Sequence, residues 1–237
     1  MEDNKKGNGL FLAIVGVATL IVAIIGASFA YFSAQASSAE GAVNLSAYEF
    51  NASLSLSEVY ASSNKLIPVN PDGAVENSTA PNNTIMKYAL NVAKSCDDSQ
   101  GYRICALYQV TVTNGGSTPL TLEGSIITNT NVASERDGAS PFTNLTYRPV
   151  TKEGQTYTIG TTPTTLVQTD GGVTNIGQIT VPANDSLVTY ALIYLNDNEN
   201  QSAEMGATYT GQIVYTSTAG SGSRLTGTFT ISGGTGN

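Results

Sequence analysis

Histidine and tryptophan are absent from this sequence, cysteine occurs twice, and charged residues make up only 12 % of it. Each shortage removes a class of function. Without histidine, Ser-His-Asp and Cys-His nucleophilic arrangements cannot be built, and imidazole metal sites are excluded too. No G-x-x-x-x-G-K occurs and no glycine-rich loop joins a strand to a helix, so a phosphate cradle has no support. Basic residues are also few: 10 Lys and Arg against 18 Asp and Glu leave a net charge of −8. Glu2, Asp3, Lys5 and Lys6 cancel, so the excess lies in the remainder. An acidic surface with scattered cations repels phosphate backbones, which excludes nucleic acid as a partner. The carboxylates are dispersed in loop-like stretches, and no motif joins two of them into an acid-base pair. The expectation is a protein that is not an enzyme, with no catalytic or metal-binding residues, no cofactor and no small-molecule substrate.

Stretches rich in Ala, Leu, Glu and Lys, the material of stable helices, are missing beyond the N-terminus. In their place are Thr, Val, Ile and Tyr, which suit half-buried pleated surfaces, and Gly, Asn, Asp and Pro, which supply turns.

The N-terminus differs from the rest. Lys5 and Lys6 precede LFLAIVGVATLIVAIIGASFAYF, an uncharged run over residues 10–32, and no Lys or Arg follows until Lys65. That asymmetry places the N-terminus in the cytoplasm and the remainder outside. Residues 1–30 read either as a cleaved signal peptide or as a retained membrane anchor. Ser28 and Ala30 supply the small residues for cleavage after Ala30, and Ala34-Gln35-Ala36 offers a second site. The run is also long enough to span a bilayer through residues 10–32 if it stays uncut. Either way the chain is expected outside the cell or on its surface.

Residues 31–41 form an arm, and 42–237 read as one all-β domain, a size such domains reach. From Ala42 to Leu56 apolar residues alternate through Val43, Leu45 and Ala47, then through Phe50, Ala52, Leu54 and Leu56. Period two means a strand with one buried face. The phase slip near Tyr48–Phe50 predicts a bulge or two short strands. Residues 60–95 form an insertion: a long Ser-, Asn-, Pro- and Gly-rich loop, then a helix over Thr84–Ser95. Its apolar face is expected at Ile85, Tyr88, Ala89 and Val92, with Asn83 or Thr84 as cap. Leu107–Thr113 alternates cleanly, Asn114-Gly115-Gly116 signals a turn, and Leu120–Thr128 reads as the return strand. Further strands are expected at 155–159, 164–168, 173–181, 186–195, 208–217 and 225–231. Many short strands with regular turn signals mean a sandwich or a barrel.

Cys96 and Cys105 flank a turn-rich DDSQGYRI. An exported chain meets an oxidising compartment, where paired cysteines bridge. A disulfide is therefore expected to staple the end of the helix to the start of the Leu107 strand. The spacing is not C-x-x-C, and no histidine completes a zinc site. Asn196-Asp197-Asn198-Glu199-Asn200 is rich in the oxygens that calcium takes, but it lacks EF-hand spacing and reads as a solvated tip. Asn-x-Ser/Thr triplets start at Asn44, Asn51, Asn77, Asn82, Asn144, Asn184 and Asn200. A chain this rich in Asn, Ser and Thr produces them by chance.

Two stretches carry a resemblance. GASFAYFSAQASSAEGAVNLSAYEF, residues 26–50, resembles the export signal and mature N-terminus of the TasA/camelysin family of exported bacterial surface and matrix-fibre proteins. YLNDNENQSAEMGATYTGQIVYTS, residues 194–217, resembles that family's late hairpin through Tyr194, Leu195, Gln201, Gly206, Tyr209, Thr210 and Gly211. CALYQVTVTNGG and PLTLEGSI look like its central strands. The resemblance implies a jelly-roll-like β-sandwich, export through a dedicated signal peptidase and, in fibre-forming members, a homopolymer in which one subunit's N-terminal segment completes its neighbour's sheet. On that expectation the assembly arm includes Tyr31, Phe32, Val43 and Leu45. This chain departs from the pattern in its disulfide and its 60–95 insertion, and the metalloprotease label given to camelysin-like members does not carry over without histidine. The alternative is a membrane-anchored, monomeric surface module that binds a glycan or a protein.

Overall fold

Leucine, valine and tyrosine at alternate positions dictate the central strands. The computed structural model describes residues 45–47, 50–62, 64–75, 84–132, 144–197, 206–219 and 222–233, all within the compact unit Ala42–Asn237. Residues 1–41, with the uncharged run over 10–32, Ala30, Tyr31 and Phe32, lie outside the described residues, as does Val43. Among the described residues no helix is long and apolar enough to cross a membrane.

The elements are β1 (Leu45–Ala47), β2 (Phe50–Glu58), β3 (Pro68–Val69), α1 (Ile85–Tyr88), β4 (Ala106–Asn114), β5 (Leu120–Val132), β6 (Leu145–Glu153), β7 (Thr156–Ile159), β8 (Thr164–Thr165), β9 (Val173–Val181), β10 (Asp185–Asn196), β11 (Thr208–Ser217) and β12 (Arg224–Ser232). One sheet runs β1-β2-β4-β10-β6-β7, with β3 beside β10 and β8 beside β6; the other runs β12-β11-β5-β9. Apart from the parallel β3–β10 pair, all the strand pairs are antiparallel. The fold is therefore the expected β-sandwich. From β4 to β11 the chain passes repeatedly from one sheet to the other, which makes the sandwich jelly-roll-like.

Period two decides which side chains face inward. Tyr108, Val110 and Val112 of β4, Ile213 and Tyr215 of β11, and Leu225, Phe229 and Ile231 of β12 are buried between the sheets. Phe50, Ala52 and Leu54 of β2 join them. The phase slip resolves into two strands: β1 folds back on β2 with Ala47 opposite Phe50. On the side of β2 and β12 the sheets close tightly. A methyl group at Gly227 would lie 2.8 Å from Leu56 Cβ and 2.9 Å from Leu54 Cδ2. Gly227→Ala is accordingly expected to destabilise by about 1–3 kcal/mol through overpacking, measured as a lower urea midpoint at unchanged slope.

A second apolar cluster lies on the other face of the larger sheet. Leu107, Val150, Leu192 and Tyr194 point outward from their strands and meet Met86 and Leu90 of the insertion and Cys96, Ile104 and Cys105 of the segment that follows it. The end of β10 is thus buried on both faces, continuously from Ala191 to Leu195. The helix starts at Thr84, whose Oγ1 accepts the Lys87 N–H at 3.4 Å. After one α turn it widens into a π turn over Ala89–Ala93 and ends at Lys94, in the left-handed region with φ 51°. The wider turn rotates the later residues. The buried stripe is consequently Met86, Ala89 and Leu90, and Val92, expected inside, is 58 % exposed.

Three sequence expectations are corrected. Strand β6 was not anticipated because Pro149 interrupts LTYRPVTKE, and proline normally marks a strand margin. Here the other edge of β6 pairs with β8 at Thr146 and Tyr147 and with β7 from Val150 onward, so Pro149 sits between two partners. Gly160, whose N–H donates to Pro149 O at 2.8 Å, makes room for the ring: a methyl there would lie 2.8 Å from Pro149 Cγ. Leu120–Thr128 is not the return strand of β4 but belongs to the opposite sheet. Buried Asn114 pins that crossing. Its amide donates to the carbonyls of Thr118, Val181 and Pro182 at 2.8, 3.3 and 3.0 Å, and its Oδ1 accepts the Gly116 N–H at 2.9 Å. Likewise β10 and β11, expected as a late hairpin, pair with different strands in different sheets.

Candidate assembly notch and disulfide cap

Cys96 and Cys105 are bridged, with Cα atoms 5.0 Å apart, and join the end of the helical segment to the start of β4 as expected. Asp98 builds the turn between them. Its Oδ1 accepts the N–H groups of Gln100 and Tyr102, each at 2.9 Å, an arrangement acidic turn residues favour. Sequence reasoning missed Arg103. Its guanidinium is buried, pairs with the Glu58 carboxylate, and donates to the carbonyls of Cys105, Ser62 and Asn64 at 3.1, 3.3 and 3.3 Å. One side chain thereby ties the start of the insertion to the segment that leads from it into β4. Tyr60 adds a further tie through its hydroxyl, which donates to Leu90 O at 3.0 Å and whose pKa burial pushes up to about 12.

A second arginine, Arg148 of β6, holds Asp72 of the insertion through two hydrogen bonds of 3.1 and 2.8 Å and lies 5.7 Å from the Tyr194 ring centroid. The two ion pairs respond to acid with opposite sign. Hydrogen bonding from Arg148 holds the Asp72 carboxyl below the ordinary carboxylate range. Its stabilisation is present above the unfolded-state pKa and is lost as pH falls through the depressed one. Burial, only partly offset by Arg103, pushes the Glu58 carboxyl up. The stability linked to Glu58 is complete below the unfolded-state pKa and declines as pH rises through the raised value. Asp72→Asn is expected to remove a small acid-side loss, under about 1 kcal/mol because Asp72 is largely exposed. Glu58→Gln is expected to remove a decline that grows toward neutral pH. Urea titrations of both variants from pH 3 to 8 check the two signs.

The side of the sandwich away from β2 and β12 is open. Strand β10 pairs with β4 from Asp185 to Ile193, but with β6 only from Tyr190 to Leu195. Past Val150, β6 turns away to pair with β7. Residues Asp185–Thr189 of β10 are therefore paired on one edge only among the described residues. Opposite them, β9 ends the second sheet and pairs, among the described residues, with β5 alone. Between these edges lies a cleft of about 630 Å³. Ile176, Ile179, Tyr147 and Tyr215 line it on the core side, and Val188, 43 % exposed, sits on the free edge of β10. Lys152 is the charged residue of the lining. Its exposed ammonium lies 5.1 Å from the Tyr157 ring centroid and 5.9 Å from that of Tyr190. An unpaired backbone edge beside apolar side-chain pockets is what an added strand uses, through main-chain bonds and alternate side chains.

Of the arm residues singled out in the sequence, Leu45 is described: it pairs with Ala52 of its own chain. Asp197 of the oxygen-rich stretch flanks a smaller cleft of about 370 Å³ that also meets Asp98, Tyr88 and Ile85; residues 198–200 lie outside the described residues. Among the described residues no three or more His, Cys, Asp or Glu side chains gather as a metal site.

By architecture the chain is a two-sheet antiparallel β-sandwich with a disulfide-stapled cap. No family model matches its sequence, and no curated protein sequence does. Among solved structures, a FixG-related protein from Vibrio parahaemolyticus is similar over 77 % of this chain and 95 % of its own, at 9 % identity and a TM-score of 0.35. AvmM, described as catalysing macrocyclization in alchivemycin A biosynthesis, is similar over 56 % of this chain and 82 % of its own, at 11 % identity and a TM-score of 0.32. Likeness at these scores carries no inference about function.

Proposed function

We propose that this chain is an exported structural subunit of an extracellular fibre or matrix at the cell surface, one that works by assembly and not by catalysis. In this reading the N-terminal arm of one copy adds as a strand to the sandwich of the next, as the resemblance to TasA/camelysin proteins implies. The observation that carries it is the notch: five consecutive β10 residues, Asp185–Thr189, with one open edge beside an apolar cleft. The disulfide fits an oxidising space, and the uncharged segment at residues 10–32 after two lysines fits export. Because β1 pairs with β2 in its own chain, an arm that leaves β1 in place runs from Tyr31 to Asn44. Fully extended, those residues reach about 45 Å, several strand spacings of about 4.8 Å. Processing after Ala30 then frees the arm, while an uncut segment keeps it at the membrane.

Deletion of residues 31–41 from the processed protein is expected to abolish fibres in negative-stain micrographs while leaving the thermal transition of the sandwich in place. Fibres that still grow at the normal rate would overturn strand donation. Mass spectrometry of the native N-terminus adds a second check: a start at Tyr31 is expected, and an intact Met1 would favour the anchored monomer.

A further inference from the structure

The cleft lining and the arm each hold a single charged side chain, and the two are opposite in sign. Within the cleft lining the charged side chain is Lys152, on the wall that β6 forms as it leaves β10. Its ammonium stands exposed over the Tyr157 and Tyr190 rings, fixed in direction by two cation–π contacts. Along the arm, YFSAQASSAEGAVN from Tyr31 to Asn44, the charged residue is Glu40. The nine residues before it, Tyr31–Ala39, are small, polar or aromatic.

Such an arm has a register problem. Strand pairing by backbone bonds alone is nearly indifferent to a shift of two residues, and the small Ala and Ser side chains of ASSA, residues 36–39, separate one register from the next only weakly. The carboxylate of Glu40 meeting the ammonium of Lys152 at the mouth separates one register from the next. Lys152 stands with Tyr157 and Tyr190 on the outer face of the sheet, so a two-residue slip keeps Glu40 on that face but carries it away from the ammonium, and a one-residue slip turns it toward Ile176 and Ile179, where an unpaired carboxylate is costly. Glu40 also marks the end of the uncharged run, where the chain must leave the notch and return to its own β1. Five open positions on β10 accommodate part of Tyr31–Ala39 with Glu40 at the exit.

We infer that Lys152 of one copy receives Glu40 of the arm donated by another, and that this pair sets the register and direction of the inserted strand. The inference rests on strand donation as proposed above and adds the residues that specify it. Lys152 acts here as a specificity determinant for self-assembly, through encounter rate and rejection of wrong registers more than through raw affinity.

The test is a charge exchange between chains. Processed Lys152→Glu and Glu40→Lys proteins, each alone, are expected to elongate fibres at least about tenfold more slowly than the unmodified protein, followed by light scattering and microscopy at low salt. An equimolar mixture of the two is expected to recover the rate to within about twofold, because each arm then finds its complement in the other chain. The chain carrying both exchanges is expected to recover as well. Thermal melts of the single variants should keep one cooperative transition, lowered slightly in Lys152→Glu by the loss of its exposed contacts with the Tyr157 and Tyr190 rings. Single variants that elongate normally, while deletion of residues 31–41 stops growth, would overturn the charge pair and leave strand donation standing. Slow single variants whose mixture does not recover would overturn it too, because the charges would then not meet between copies. Normal growth without residues 31–41 would remove strand donation, and the pair with it.

Discussion

Replacing Arg103 with alanine is expected to destabilise the protein by about 3–5 kcal/mol, the range for breaking a buried ion pair from one side. The size follows from what the guanidinium holds. It neutralises Glu58 and satisfies the carbonyls of Ser62, Asn64 and Cys105 at once. Without it a half-buried carboxylate and several carbonyls lose their donor together. The reverse change is milder. Glu58→Gln keeps an acceptor opposite the guanidinium and removes a carboxylate whose pKa burial already raises, so a loss of about 1–2 kcal/mol is expected. The pH dependence separates the two cases. In Arg103→Ala the cost should shrink on acidification, as Glu58 takes up a proton and its burial becomes tolerable. In Glu58→Gln no such recovery is available. Urea unfolding of both variants at pH 4 and pH 7 measures this, and an Arg103→Ala penalty that grows in acid would contradict the account.

Removing the disulfide with the pair Cys96→Ala and Cys105→Ala is expected to cost about 2–3 kcal/mol, from the chain freedom regained by a loop with a sequence separation of nine. Loss of two buried sulfurs from the outer cluster adds a packing term in the same direction. The effect should be local before it is global. Hydrogen exchange is expected to rise first in Cys96–Cys105 and in the helical turns beside them, while β11 and β12, whose apolar residues pack in the inner cluster, keep their protection. The bridge itself is shielded, since both cysteines are at most 2 % exposed. Reductants should therefore act only after the cap opens, and reduction should be slow under native conditions and fast in urea.

The sandwich was legible in the sequence because its signal is periodic. Leu107–Thr113 alternates without a fault, and the structure places β4 at the centre of its sheet. The disulfide was legible from compartment and turn chemistry. Sheet assignment was not. Whether β5 returns beside β4 or crosses over depends on Asn114, whose amide meets carbonyls as far along the chain as Pro182, and no local pattern encodes so distant a contact. Pro149 hid β6 for a related reason: its fit depends on Gly160, beyond the next turn. The notch was invisible in the sequence because it is an absence of pairing, set by where β6 leaves β10. Arg103 carried no motif at all. An arginine beside a turn is ordinary, and only the return of residues 58–64 gives it work.

The pairing of β10 also has a mechanical side. Its nine register partners along β4 run from Asp185 to Ile193, and its far end is clamped between two apolar layers. A pull directed along this strand from its Asp185 end loads those rungs in shear, so that they share the tension and must yield together. A sideways pull would peel them one after another. A cable of such subunits, joined at that end of β10 and drawn along its length, would meet strain in the direction in which the sandwich resists it best.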